Sequence, residues 1–334
     1  MSRHRDPTLW RTQNFLRDAD LIERLVEPCG IGPRDTVYDL GAGTGNLTAA
    51  LAKHAARVIA IERDPFLAAR LRARFAVTPN VVVREADIFA HPLPHADYIV
   101  FSNPPFDRTA DLMSRLTEAD MPPRIAYLVL QREAAQRFVG SSRRTLAAVL
   151  LSPWFELTVV HRFVAADFAP RPAVDTVLVR IQKRAPPLVA ARDTQLFRDL
   201  AVTCFVHCRS LLDPHRRPAT LTFAEWLDLY RRFRTLPRGV RRSIAGAEAR
   251  LRTQQQALTK SHRTRAPRDA LCGPALGSYF GRSAIARAIA ASSSCGRCDP
   301  ISTRLPSVVS TITPSWPPTV KAQPRGERRT PQPP

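Results

Sequence analysis

The sequence predicts an α/β fold: an open, mostly parallel sheet of the Rossmann-like kind, followed by a small helical module. Three observations carry that expectation. A β-branched and aromatic run, Thr36-Val37-Tyr38-Asp39-Leu40, leads straight into the glycine turn Gly41-Ala42-Gly43-Thr44-Gly45, and a helical pattern follows over residues 47–56. Strand, glycine turn and helix in that order make the crossover of nucleotide-binding sheets. Next, Glu62, Asp87 and Asn103 each stand at the end of a further strand pattern; in an open parallel sheet, ligands sit outside the carboxyl ends of the strands. Finally, after Ala185-Pro186-Pro187 the strand signal stops and apolar residues recur at helical spacing.

The elements follow in order. Residues 1–12 are a basic, polar arm. Gln13-Asn14-Phe15-Leu16 sets a polar pair ahead of an apolar pair; it either reaches back over a ligand pocket or enters the next helix with Phe15 as a hydrophobic staple. Asp18 is the N-cap expected for a helix ending near residue 26. In the glycine turn the spacing is informative. A dinucleotide fingerprint has glycines at its first, third and sixth positions, whereas here Gly41, Gly43 and Gly45 take the first, third and fifth and Asn46 the sixth. The glycines let the backbone approach a ligand, and free amides point out of the helix start. Asp39, just before the turn, orients the loop or meets a cationic ligand. This pattern suits S-adenosylmethionine better than NAD.

The second strand, Arg57-Val58-Ile59-Ala60-Ile61, closes in Glu62, about 20 residues past the glycine turn, where a carboxylate accepts both ribose hydroxyls. A helix over residues 65–75 and a third strand at Val81-Val82-Val83 lead to Glu85-Ala86-Asp87-Ile88. There Asp87 either takes an adenine amino group, with Ile88 against the ring, or caps a turn. Tyr98-Ile99-Val100-Phe101 is the fourth strand and Ile125-Ala126-Tyr127-Leu128-Val129-Leu130 the fifth. The next helix carries Arg132 and Arg137, and Ser141-Ser142-Arg143-Arg144-Thr145 forms a basic loop, placed for phosphate contacts or for solvent. Two runs, over residues 155–163 and 174–181, read as an antiparallel pair around Phe168-Ala169-Pro170-Arg171-Pro172. Phe168 is either a wall of a base pocket or a core plug. Residues 185–244 form the Arg-rich helical module. From 245 to 334 the composition turns to Arg, Ala, Ser, Thr and Pro with few aromatics, which predicts a mostly disordered basic tail.

Phe101-Ser102-Asn103-Pro104-Pro105-Phe106 is the stretch with the most specific chemistry. The exocyclic amine of a base is a poor nucleophile because its lone pair is delocalised into the ring. Two acceptors gripping its two protons bias the nitrogen toward tetrahedral geometry. The Asn103 side-chain carbonyl and the Pro104 main-chain carbonyl are such a pair. Successive prolines restrict the main chain, so those carbonyls are held in place. Phe106 offers an aromatic face for a base to stack on. The methylated ammonium sheds its own proton, so orientation and a polarised amine carry the reaction.

The chain has 334 residues, 50 Lys plus Arg against 29 Asp plus Glu, and a net charge of +21. A genome rich in G and C favours Arg, yet the excess over acids is larger than such a bias explains. It predicts a polyanionic partner. No apolar run approaches a membrane span of about 20 residues, and no apolar signal core follows the N-terminus, so a cytoplasmic chain with no membrane partner is expected. Cys29, Cys204, Cys208, Cys272, Cys295 and Cys298 are too scattered for a disulfide framework, and no metal site is expected.

Taken together, the chain resembles the ribosomal RNA adenine dimethyltransferases, and within them the Erm group. The resemblance covers about residues 10–235. It rests on Gln13-Asn14-Phe15-Leu16, Asp39-Leu40-Gly41-Ala42-Gly43-Thr44-Gly45, Ile61-Glu62, Ala86-Asp87-Ile88, Asn103-Pro104-Pro105-Phe106, Gln131-Arg132-Glu133 and Phe168-Ala169-Pro170-Arg171-Pro172-Ala173-Val174-Asp175. Housekeeping small-subunit enzymes of that family usually carry Leu-Pro-Tyr after the Asn; Pro-Pro-Phe and the short module ending in Trp226-Leu227-Asp228-Leu229-Tyr230 look more like Erm. The resemblance implies transfer of one or two methyl groups from S-adenosylmethionine to the N6 amine of an adenine in 23S rRNA, at the site of macrolides, lincosamides and type B streptogramins. It implies that Asn14, Leu16, Gly41, Glu62, Asp87 and Asn103 lie against the donor, with Gly43 and Ile88 beside them, and that Phe106 and Phe168 stack on the base. A monomer is expected. The alternatives are a 16S rRNA or DNA adenine methyltransferase, and an inactive RNA-binding relative.

Overall fold

The computed structural model describes residues 14–140, 144–207 and 217–257. The chain starts with a two-residue strand, β1 (Phe15–Leu16), then α1 (Ala19–Val26). Asp18 caps α1 as the sequence predicts, accepting from the amides of Asp20 and Leu21. The crossover follows: β2 (Thr36–Leu40), the glycine turn and α2 (Asn46–Ala52). Next come β3 (Arg57–Glu62), α3 (Pro65–Arg74), β4 (Val81–Glu85), β5 (Ile99–Ser102), α4 (Thr109–Thr117), β6 (Ile125–Gln131), α5 (Arg132–Val139), α6 (Leu146–Leu151), β7 (Phe155–Arg162), β8 (Phe168–Ala169) and β9 (Thr176–Lys183).

Seven strands make one sheet, in the order β4-β3-β2-β5-β6-β9-β7. The first five run parallel, and β9 and β7 close the edge antiparallel. Strand order reverses between β2 and β5, so the glycine turn and the Asn103 turn lie side by side at the switch point, where such sheets bind ligands. Both faces are covered, which parallel strands require. Val37, Val58, Phe101 and Val129 pack toward Ile22, Leu25 and Leu51 of α1 and α2. Leu40, Ile59, Val100 and Leu128 pack toward Leu112, Met113 and Leu116 of α4. Apart from this sheet, β1 and β8 pair antiparallel, with Phe15 opposite Ala169 and Leu16 opposite Phe168. Only one of the two sequence readings of the N-terminal segment involves it reaching back, and that is the one this pairing realises.

Beyond β9 lie α7 (Thr194–Val202), α8 (Phe223–Thr235), α9 (Arg238–Arg242) and α10 (Ala247–Ala257). Trp226 is fully buried, stacked on Phe205 with ring centroids 5.6 Å apart and packed with Phe197 and Phe233. Leu146, Val149 and Trp154 join the same cluster. Pro186 therefore marks a turn in the chain, while the core of the helical module is shared with the segment around α6.

The predicted disordered tail begins too early. Residues 247–257 are helical, and the reason is polar. The buried carboxylate of Asp199 accepts from the amides of Gly246 and Glu248 at 3.0 and 2.9 Å, capping α10. Arg198 pairs with Glu248 and Arg252 with Glu118 of the sheet domain. Only Ala247, Glu248 and Leu251 of α10 are buried, so the helix leaves no apolar stripe for a sequence reading to find. The remainder of the tail, residues 258–334, lies outside the described residues, as do the arm at 1–12, Gln13, Arg143, Cys208, Cys272, Cys295 and Cys298.

Candidate active site

Gly41, Gly43 and Gly45 all hold positive φ, at +82°, +55° and +82°, the left-handed region that favours glycine. Their surroundings differ. A Cβ on Gly41 would meet nothing within 4 Å, so that side of the turn is open. A Cβ on Gly43 would lie 2.4 Å from Cε1 of Phe15, whose ring rests on the turn. Gly43→Ala is therefore expected to destabilise the fold by about 1–3 kcal/mol through strain and overpacking. Gly41→Ala, strained alike but unobstructed, should lose less. Paired denaturant midpoints check this ordering.

Two buried carboxylates stand behind the turn. Glu62 accepts from the amides of Gly43 and Asp64, both at 2.8 Å. Burial raises its pKa, against the pull of those amides. Asp39 accepts from the Thr48 hydroxyl at 2.6 Å. Burial pushes its pKa up to about 7, the Thr48 bond opposing and the charge of Glu62 assisting. Arg74 braces the turn from outside, donating to the Thr44 carbonyl at 2.7 Å and to Oδ1 of Asn46 at 3.0 Å.

Beside it, β5 ends in Ser102, whose hydroxyl donates to the Leu40 carbonyl at 2.6 Å and ties the two turns together. Asn103 follows, and its Nδ2 donates to the main-chain carbonyl of Asn14 at 2.6 Å. Pro104 is buried. The Pro105 carbonyl accepts from the Arg108 amide and the Phe106 carbonyl from the Thr109 hydroxyl, so a tight helical turn fixes the half-buried Phe106.

Two small cavities open where these turns meet β1. One, about 30 Å³, is lined by Asn14, Phe15, Gly41, Asn103, Pro104 and Phe106, with Pro105. The other, about 20 Å³, is lined by residues including Leu16, Asp39, Gly41, Asn46 and Asn103. Phe15, Gly41 and Asn103 line both.

The structure places Asn14, Gly41, Asn103, Pro104 and Phe106 around one cavity and Leu16 beside the next, with Glu62 on the Gly43 amide. It treats four others differently. Asp87 caps a turn through the Phe89 amide at 2.7 Å and faces Arg63 at 3.7 Å. Ile88 packs into the core with Leu40 and Ile59 instead of walling a cavity. Phe168, expected on the base, is 1% exposed; its pairing opposite Leu16 turns the ring inward, edge-on to Phe163 at 5.2 Å. Arg132, expected free for phosphate, pairs with Asp175 at 2.9 Å. Arg137 is exposed, and the main chain of Arg144 is anchored to the Ala219 carbonyl. Sequence reasoning passed over Asn46, Thr48 and Arg74. Asn46 had left a trace, a polar residue where a dinucleotide turn carries its last glycine.

The donor set suits S-adenosylmethionine. A carboxylate closes β3 and accepts from the glycine turn, Gly41 presents an open, side-chain-free cradle, and Asp39 stands behind the turn. With the Asn-Pro-Pro-Phe turn at the switch point, the fold is that of a class I S-adenosylmethionine-dependent methyltransferase. Residues 11–215 match the family described as ribosomal RNA adenine dimethylase, and the chain belongs to that family. It is 33% identical over 224 residues, 66% of its length, to a ribosomal RNA small subunit methyltransferase A of Thermotoga petrophila, covering 83% of that protein. It is 34% identical over 206 residues, 61% of its length, to an rRNA methyltransferase of Streptomyces thermotolerans, covering 69% of that one. Among solved structures, the 23S rRNA methyltransferase ErmE aligns over 65% of this chain and 98% of its own, with a TM-score of 0.61 and 27% identity. Among the described residues no helix is long and apolar enough to cross a membrane.

Proposed function

We propose that this protein transfers one or two methyl groups from S-adenosylmethionine to the exocyclic N6 of an adenine in 23S rRNA, and thereby confers resistance to macrolides, lincosamides and type B streptogramins. The observation that carries the chemistry is the turn after β5, where Asn103, Pro104 and Phe106 line one cavity with Asn14 and Gly41. S-adenosylmethionine supplies the electrophilic methyl group. Asn103 Oδ1 and the Pro104 carbonyl accept the two amine protons, and Phe106 offers its ring to the base. Glu62 holds the ribose of the donor, and Gly41 and Gly43 admit its tail. Arg137 and Arg144 contribute phosphate contacts. The likeness to ErmE over nearly the whole of that protein, with the Pro-Pro-Phe sequence, supports 23S rRNA.

A second reading has its own support: the relative from Thermotoga petrophila acts, by its name, on the small subunit. Labelled S-adenosylmethionine with naked 23S rRNA, naked 16S rRNA and duplex DNA separates the two. The expected result is label in 23S rRNA alone, with a primer-extension stop at one adenine and raised macrolide tolerance in a susceptible host expressing the chain. Label confined to 16S rRNA would establish the second reading.

A further inference from the structure

The short strand β1 is held along one edge by β8 and along the other by two asparagine side chains. The Asn14 carbonyl accepts from Nδ2 of Asn103 at 2.6 Å, and the Leu16 carbonyl accepts from Nδ2 of Asn46 at 3.1 Å. Carbonyls two residues apart point the same way along a strand, so one edge of β1 bridges the helix start behind the glycine turn and the turn that presents Asn103. An amide has two ends, and only its nitrogen donates. Committing Nδ2 to Asn14 fixes the amide plane and turns Oδ1 away from β1. Without that partner the terminal torsion of Asn is broad and two-fold, and either end of the amide faces the pocket.

We propose that Asn14 is a positioning residue: its main-chain carbonyl sets the Asn103 amide so that oxygen, not nitrogen, faces the substrate amine. This rests on the reading of Asn103 as the amine acceptor. It also couples the two halves of the site. Phe15, next in sequence, lies on Gly43, so the strand that aims Asn103 also lines the glycine turn.

The test replaces an amide by an ester in the full chain. Substituting the α-hydroxy analogue of phenylalanine at position 15 turns the Asn14 carbonyl into an ester carbonyl, a weaker acceptor, with every side chain kept. The control is the α-hydroxy analogue of arginine at position 17: it removes the Arg17 amide that donates to the Asp167 carbonyl, as the position-15 ester removes the Phe15 amide, and it weakens the Leu16 carbonyl toward Asn46 while leaving Asn14 intact. Single-turnover methyl transfer, S-adenosylmethionine affinity and the Asn103 side-chain amide proton shifts are measured for each. For the position-15 ester the expected result is a rate about tenfold lower, the weight of one good hydrogen bond, with donor affinity within about twofold and the Nδ2 proton shifted upfield. The position-17 ester should leave rate and shift near those of the unmodified chain. An unchanged rate at position 15, or equal losses in both esters, would overturn the assignment. If the unmodified chain methylates no rRNA, the functional reading fails instead. The proton shift still decides whether Asn14 holds Asn103, and its invariance would sink the proposal.

Discussion

Asn103→Ala should lower the rate of methyl transfer by about 10²- to 10³-fold, the usual loss when one preorganised electrostatic contact to the reacting centre is removed. The loss should fall on the chemical step. Asn103 sits at the end of β5, with the turn around it independently fixed by Ser102, Pro104 and the Thr109 hydroxyl, so alanine leaves the scaffold standing. What disappears is the acceptor for the amine proton and the grip on the Asn14 carbonyl. S-adenosylmethionine affinity, read by calorimetry, should change no more than about fivefold, because the lost contact to β1 is a single hydrogen bond. Asn103→Asp discriminates further. Its carboxylate keeps an acceptor for the amine but sets oxygen against the Asn14 carbonyl where a 2.6 Å bond now stands. It should therefore perform no better than alanine, although it is the closer mimic. Full turnover in the alanine variant would remove Asn103 from the mechanism.

The strands of the large sheet were legible as apolar runs bounded by turn signals, and their order placed the glycine turn, Glu62 and Asn103 at the carboxyl ends of neighbouring strands. Chemistry at those positions is written in residue type: glycines with positive φ, a carboxylate closing a strand, an amide before two prolines. What stayed hidden depends on which way a side chain faces. Phe168 lies between prolines in a motif that invites a stacking role, yet its partner across the β1–β8 ladder, Leu16, sends its ring into the core. A two-residue strand pair has no period to read, so nothing along the chain announces that constraint. The same holds for α10, whose cap is a buried aspartate 47 residues upstream, and for Asn46, whose grip on Leu16 exists only once β1 has crossed the glycine turn.

Asp39→Asn should leave stability unchanged in acid and raise it in alkali. The Asp39 carboxyl is 1% exposed, and burial raises its pKa to about 7 in the folded chain, against about 3.9 when unfolded. Between those values the folded state holds a proton that the unfolded state has released, so stability falls as pH rises. The contribution is fully present below about pH 4 and lost by about pH 7, and three pKa units amount to about 4 kcal/mol. Asparagine keeps an acceptor for the Thr48 hydroxyl and has nothing to titrate. The variant should thus match the wild-type chain near pH 3.5 and exceed its denaturant midpoint at pH 8. A residue that costs stability at neutral pH needs a use there, and the cation of the methyl donor supplies one. Donor affinity should fall about tenfold in the variant at pH 8, roughly one pairing of a charge in a desolvated site, and converge with wild type at pH 5.5, where Asp39 is already neutral. Equal affinities at both pH values would leave Asp39 as an orienting group for the loop, acting through Thr48 alone.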